Sequence, residues 1–329
     1  MASDLARRVA SWISQWRQRQ RLDIDPIRHM FQEDVHDHVI PYSPRRGREV
    51  SGVIEATEAV QAQIIGVLRG VSRDRESHRS DPTGIPDAIR AIVQQMVWRG
   101  YAVLVIGEPT RDPPSVRRGQ RPPADLPEYT PLLPIPYGLV FRTPIGIVRI
   151  AGRDWLGESR TIDLYPRSRL LVIDPPWSLG GRLGLRLLLR KLSLFPDVFP
   201  NWSTDSMFTE QREVRFDVSK YAELRAAYHA RTVGKWGWNG RDHSTTHQTE
   251  FFSVYRTLSF HHALAVLREH ILAKLNGFFK QRSGVEGICS LRGVPSAPDI
   301  RAVQDEMLRG DISLLQALEK AGVIEPQGG

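Results

Sequence analysis

The feature that most limits how this chain can fold is a proline-rich stretch lying between two differently patterned regions. Between Glu108 and Pro136 stand Pro109, Pro113, Pro114, Pro122, Pro123, Pro127, Pro131, Pro134 and Pro136. Proline has no backbone N–H to donate and clashes with a preceding helical turn, so neither a helix nor a central strand fits here. Arg111, Arg117, Arg118 and Arg121 add charge. Residues 108–136 therefore read as an extended arm or long loop of polyproline character.

Before the arm the pattern is helical. Asp4 can cap a first helix with Leu5, Val9, Ile13 and Trp16 on one stripe. Gly47 to Val53 reads as a turn, and Val60, Ile64 and Leu68 recur at i, i+4 and i+8 in a second helix. The charges from Arg73 to Arg79 read as a solvated loop. A third helix opens on Pro86, buries Ile85, Ile89, Ile92, Val93 and Met96, and stops at Gly100. Tyr101 to Ile106 follows as a buried strand packed against it.

After the arm the period switches. Gly138 to Arg142 and Ile147 to Ala151 flank Thr143-Pro144-Ile145-Gly146, a hairpin with proline in the first central slot of its turn. Thr161 to Leu164 and Leu170 to Asp174 predict two more strands. Beyond Gly184 helices are expected near 185–192, 218–230, 248–279, 298–309 and 313–321. The expectation is an α+β chain, mainly α-helical, with a small mixed or antiparallel β region. It divides into a helical region with one strand (1–107), the arm (108–136), the β region (137–182) and a second helical region (183–329).

Composition narrows the function. A lone cysteine, Cys289, excludes an intrachain disulfide framework and a cysteine-based zinc site, and favours a reducing compartment. No apolar run approaches the ~18 residues that span a bilayer, since Arg186 breaks Leu183 to Leu189. Arg7-Arg8 lacks an apolar core behind it, so no targeting segment is expected. A net charge of +8 favours a polyanionic partner, because cations that meet phosphates release counterions.

Four motifs bear on chemistry. Asp174-Pro175-Pro176-Trp177, closing the predicted strand from Leu171, resembles the catalytic turn of N6-adenine methyltransferases. In that family the first residue accepts from the target amino group and the aromatic ring stacks on the base. Such an enzyme needs a doubly wound sheet and a glycine turn for its methyl donor. Gly180, Gly181 and Gly184 fit neither a dinucleotide nor a P-loop spacing. The simpler reading is a strand closed by a rigid Pro-Pro turn. His243 and His247 have helical metal-ligand spacing, but Ser244, Thr245 and Thr246 suggest a loop and no third ligand completes the set. His36-Asp37-His38 lacks the apolar centre of a rolling-circle nuclease pair. No metal and no other cofactor is expected.

The fourth motif, Gly234 to Asp242, sets Trp236 and Trp238 among glycines with Lys235, Asn239 and Arg241 alongside. Two readings stand level. The rings stack on a base or sugar while the cations meet phosphates, or they plug the neighbouring helices.

The second half also resembles the portal proteins of tailed bacteriophages. Glu250, Phe251, Tyr255, Arg256, Thr257 and Leu258, running on to Ile271-Leu272 and Leu275-Asn276, are similar to that family's aromatic-rich helix after the tunnel loop. Gly100-Tyr101-Ala102-Val103 is similar to its wing strand, and Leu170 to Ile173 before Gly181 to Gly184 to the step that follows. The order of the pieces agrees, although only Leu185 to Phe216 is left for the family's stem and clip. The resemblance implies a structural ring subunit, commonly a dodecamer and not an enzyme, through which double-stranded DNA is packaged and ejected. It implies capsid, terminase and head–tail adaptor proteins as partners, no membrane, and the virion vertex as the place, after synthesis in the bacterial cytoplasm. Residues 234–247 would form the tunnel-like loop, with Lys235, Trp236, Trp238, Asn239 and Arg241 facing DNA. The alternative is a DNA-binding regulator or replication protein of a mobile element, whose two C-terminal helices form a helix-turn-helix.

Overall fold

The computed structural model describes residues 26–41, 50–71, 81–110, 129–135, 139–150, 162–194, 218–240, 249–283 and 288–324. The expected Asp4 helix, the Arg73–Arg79 loop, most of the arm, and Arg241, His243 and His247 lie outside them.

The clearest local signal builds the clearest element. Helix α3 (Ile85–Arg99) has proline in its first turn, and Gly84 and Gly100 bound it with positive φ of 72° and 82°. The Gly100 N–H donates to the Met96 carbonyl at 2.7 Å, closing the last turn. Ile85, Ile89, Ile92, Val93 and Met96 are buried as their spacing requires. Around α3 pack α1 (Pro26–Val39), α2 (Glu58–Val71) and strand β2 (Ala102–Ile106). Helix α1 was not anticipated, although Phe31, Val35 and Val39 at i, i+4 and i+8 are all fully buried. Gln32 of α1 donates to the Val97 carbonyl at 2.7 Å, tying it to α3.

Among the described residues the β structure is three small antiparallel sheets. In one, β2 lies between β3 (Leu132–Pro134) and β7 (Leu170–Ile173), in the order β3-β2-β7. The end of the proline-rich stretch is thus an edge strand, where a missing N–H costs least. Tyr129 there is buried, its ring against Gly66 of α2. The hairpin of β4 (Leu139–Thr143) and β5 (Gly146–Ile150) carries β6 (Ile162–Pro166) on its far side. The third sheet pairs β1 (Ser51–Glu55) with β8 (Ile288–Arg292), from Ser51 opposite Arg292 to Glu55 opposite Ile288. The turn expected at Gly47 to Val53 is therefore a strand over Ser51–Val53. A short Ser-Gly-containing segment has little strand propensity of its own and becomes one because β8 completes its hydrogen bonds.

The later helices are α4 (Gly181–Ser193), α5 (Val218–Val233), α6 (Glu250–Phe278), α7 (Ala297–Arg309) and α8 (Leu314–Lys320). At 29 residues, α6 is the spine. Its Ala263, Leu264, Leu267, Ile271 and Leu275 join a core that also takes Ile92, Met96, Leu104, Leu132, Ile173 and Leu188. One core therefore runs across the boundaries expected from the sequence. Helices α7 and α8 pack on the first half of α6 through a smaller cluster of Val254, Leu258, Val303, Met307, Ala317 and Ala321. The chain is α+β, mainly helical, and among the described residues no helix is long and apolar enough to cross a membrane.

Candidate functional site

The tryptophan loop follows directly from the end of α5. The Trp236 and Gly237 N–H groups both donate to the Val233 carbonyl, at 2.8 and 3.0 Å, folding the chain back against α6. Gly237 has φ 66°, and a Cβ there would stand 2.5 Å from the Ser259 Cβ and 2.7 Å from the Phe260 nitrogen. The glycine is needed for close approach rather than for mobility. Trp236 and Trp238 are each only 2% exposed. Both rings meet Phe31 of α1 edge-on, at 5.4 and 5.2 Å between centroids. The Trp238 indole N–H donates to Asp34 Oδ2 at 2.8 Å, and the Arg256 guanidinium donates to the Trp238 carbonyl at 2.5 Å.

These contacts correct the DNA-facing assignment of the two tryptophans. Their rings are the plug that joins α1, α5 and α6, and a ring so covered has no face for a base. Lys235 is exposed, and Asn239 is half-buried. Arg256, of the portal-like motif, is buried, and desolvation lowers its pKa. Arg268, twelve residues further along α6 and also buried, donates to the carbonyls of Val39 and Pro295 at 3.0 and 2.9 Å. Burial lowers its pKa to about 10, against the opposing pull of Glu269, so it stays charged at neutral pH. Both arginines hold backbone together.

A second group of residues is open to solvent. Strand β7 ends at Ile173, and Asp174-Pro175-Pro176 leads into a single 3-10 turn, Trp177–Leu179, that enters α4. Gly180 and Gly181 both have positive φ, 96° and 60°, which lets the chain reverse into the helix within two residues. The reversal throws Trp177 outward at 89% exposed. Its ring lies against Gly181, where a Cβ would come 3.2 Å from the indole.

Behind this turn sit three arginines. Arg142 of β4 donates to both Asp174 oxygens, at 3.1 and 3.4 Å. Arg182 and Arg186, one turn apart on α4, lie over the Tyr101 ring, with guanidinium carbons 4.4 and 5.8 Å from its centroid. The stem of Arg186 crosses Gly100, where a Cβ would stand 2.5 Å from its Cγ. The left-handed cap of α3 thus also makes room for this arginine. Desolvation is the main cause of a lowered Arg182 pKa, the positive charges of Arg186 and Arg142 add to it, and Tyr101 and Asp174 oppose it. The Arg182 Nε is buried and has no hydrogen-bond partner among the described residues. On the inner side His270 Nε2–H donates to the Asp174 carbonyl at 2.9 Å. Burial, more than any neighbour, lowers the His270 pKa and favours the neutral ring.

Asp174 and Trp177 belong to the turn whose sequence resembles that of the methyltransferases. The sheet behind Asp174 is three-stranded and antiparallel, whereas that motif serves at the edge of a doubly wound parallel sheet, and the carboxylate is engaged by Arg142. Arg142, Arg182, Arg186 and Tyr101 were not read as a group. Only the i, i+4 spacing of Arg182 and Arg186 carried a signal. His36 and His38 lie on α1, the first against Asp37 at 3.0 Å and the second beside Phe260 and His261. Among the described residues no three His, Cys, Asp or Glu side chains gather as a metal site. Comparison with protein-family models, curated proteins and solved structures gives no match.

Proposed function

We propose that this chain is a structural subunit that closes into a ring around double-stranded DNA, in the manner of the phage portals its sequence resembles. The virion vertex would be its place, with capsid, packaging-motor and head–tail proteins as neighbours. The observation that carries the reading is the outer face of the β4–β5–β6 sheet. Across it Phe141 stands opposite Val148, and Val148 opposite Leu164, with Ile162 two residues along β6 on the same side. Phe141, Leu164 and Ile162 are 39%, 57% and 69% exposed. The opposite face, with Val140, Ile147 and Tyr165, packs on Tyr101, Val103 and Ile135.

A small sheet that is apolar on both faces has one for its own core and one left for a partner. In a ring that partner is the next copy, because one heterologous contact repeats until the circle closes. The excess of positive charge suits sequence-blind contact with phosphates. The portal-like residues Tyr255 to Leu258 fall on α6, the longest helix described. With Trp236 and Trp238 in the core, exposed Lys235 and half-buried Asn239 are the described candidates of that loop left to face DNA.

Native mass spectrometry of the full chain tests the reading. Assemblies of more than six copies are expected, and Leu164→Lys is expected to release subunits that remain folded by circular dichroism. Monomers or dimers alone at micromolar concentration would overturn it.

A further inference from the structure

Arg182 and Arg186 pose an electrostatic question that the fold leaves open. Two guanidiniums share one aromatic ring, and neither forms an ion pair among the described residues. The nearby carboxylate, Asp174, is already engaged by Arg142. Among the described residues, three cations against one carboxylate leave a local excess of two positive charges. The Tyr101 ring offsets part of the repulsion through its negative face, but it is a neutral group held behind the arginines at 2% exposed. The Arg182 Nε without a partner is a donor still to be satisfied. An anion bridging the outer ends of the two guanidiniums would offset that excess, and the planar fork of arginine is matched to phosphate oxygens.

The neighbouring residue names the kind of phosphate. Trp177 exposes nearly its whole side chain, packed on one side against Gly181, the residue before Arg182. The 3-10 turn and the two left-handed glycines fix its backbone at the start of α4. From Arg182 to Arg186 the helix rises about 6 Å, so the two cations and the ring line one short track. Cations along a track with an aromatic platform at its end are how proteins hold unpaired nucleic acid: phosphates meet the cations and a base stacks on the ring. We infer that this surface seats a single nucleic-acid strand, with Arg182 and Arg186 on its phosphates and Trp177 under a base. Duplex DNA keeps its bases stacked within the helix and offers Trp177 nothing comparable. The seat is independent of the ring reading, which needs only contact with duplex phosphates.

The test is fluorescence anisotropy of the full chain with a short fluorescein-labelled oligothymidylate, measured over a range of salt. Trp177→Ala is expected to weaken binding about tenfold or more. Arg186→Gln is expected to weaken it and to flatten the dependence of log K on log salt by roughly 0.7, one phosphate contact of a single strand. Arg186→Lys should keep the slope. Trp177 and Arg186 are both exposed, so these variants should melt with the parent, and a thermal melt confirms that each is folded. Unchanged affinity in both Trp177→Ala and Arg186→Gln would overturn the inference. So would inorganic phosphate competing fully at low millimolar concentration, which would mark a free-phosphate site. A duplex of equal length binding as tightly, with Trp177→Ala without effect, would likewise overturn it.

Discussion

Trp238 is held from three directions: by the edge contact with Phe31, by its indole N–H on Asp34, and by Arg256 on its carbonyl. Trp236 shares the Phe31 contact and the same burial. Truncating Trp236 to Ala should cost about 3–5 kcal/mol in urea unfolding, as for other large core aromatics. Lys235→Ala, one residue away and exposed, should stay within about 0.5 kcal/mol. Cys289 gives a pH-dependent counterpart. It is 2% exposed, its backbone N–H donates to Asn276 Oδ1 at 2.9 Å, and the Asn276 amide donates back to its carbonyl at 3.0 Å. Burial pushes the thiol up to about 12 from an ordinary 9.0. Below pH 9 both folded and unfolded chains keep the proton, and the contribution to stability is whole. Between pH 9 and 12 the unfolded chain releases it first, so stability falls as pH rises. The alkaline loss should therefore be smaller in Cys289→Ala, read from urea midpoints at pH 8 and pH 10.

Elements end where particular residues end them. Helix α7 begins with a full capping box: the Ser296 hydroxyl accepts from the Asp299 N–H at 3.2 Å, and the Asp299 carboxylate accepts from the Ser296 N–H at 3.0 Å. The Ser296 hydroxyl, which donates to the Asp299 carboxylate at 2.6 Å, and then the Ser296 N–H hold that carboxyl below its usual range. Ser296→Ala should cost about 1 kcal/mol, measured by thermal unfolding at neutral pH. At the other end of its own helix, Gly100 has two duties, a left-handed cap at φ 82° and clearance for Arg186. Gly100→Ala meets both a backbone penalty and a side chain in the way. It should cost about 1–2 kcal/mol, and any crystal structure of the variant should show Arg186 displaced from Tyr101.

At the scale of the molecule, the two main helical regions share one core with the β1–β8 and β3–β2–β7 sheets. Strand β8 closes on β1, and Leu132 near the end of the arm joins the core with Met96 and Leu104 before it. Far-UV circular dichroism and tryptophan fluorescence should therefore report one coincident unfolding transition. Helix α8 is the exception. It has seven residues, and its buried Ala317 belongs to the smaller cluster on α6. Its amides should exchange with solvent hydrogen well before those of α6, a difference that hydrogen-exchange mass spectrometry reads directly.

Local order was legible wherever a period and its stop signals lie within one stretch. Helix α3 between Pro86 and Gly100, the hairpin around Thr143 to Gly146, and the long α6 all follow from residues within a few positions of each other. The sequence also singled out Asp174 to Trp177 as an unusual turn, although not the arginines around it. Tertiary structure alone decided the rest. Trp238 meets Asp34 across 204 positions, and nothing near either residue says that the other will cover it. Glycines around a tryptophan serve an open loop and a close helix contact equally well, so the composition of Gly234 to Asp242 left both readings standing until α1 and α6 were in place. The arginine seat has the same origin, since Arg142 reaches Asp174 across 32 positions while Arg182 and Arg186 arrive from the next helix. Periodicity reports which face of an element is apolar; which two faces meet depends on the packing of the whole chain.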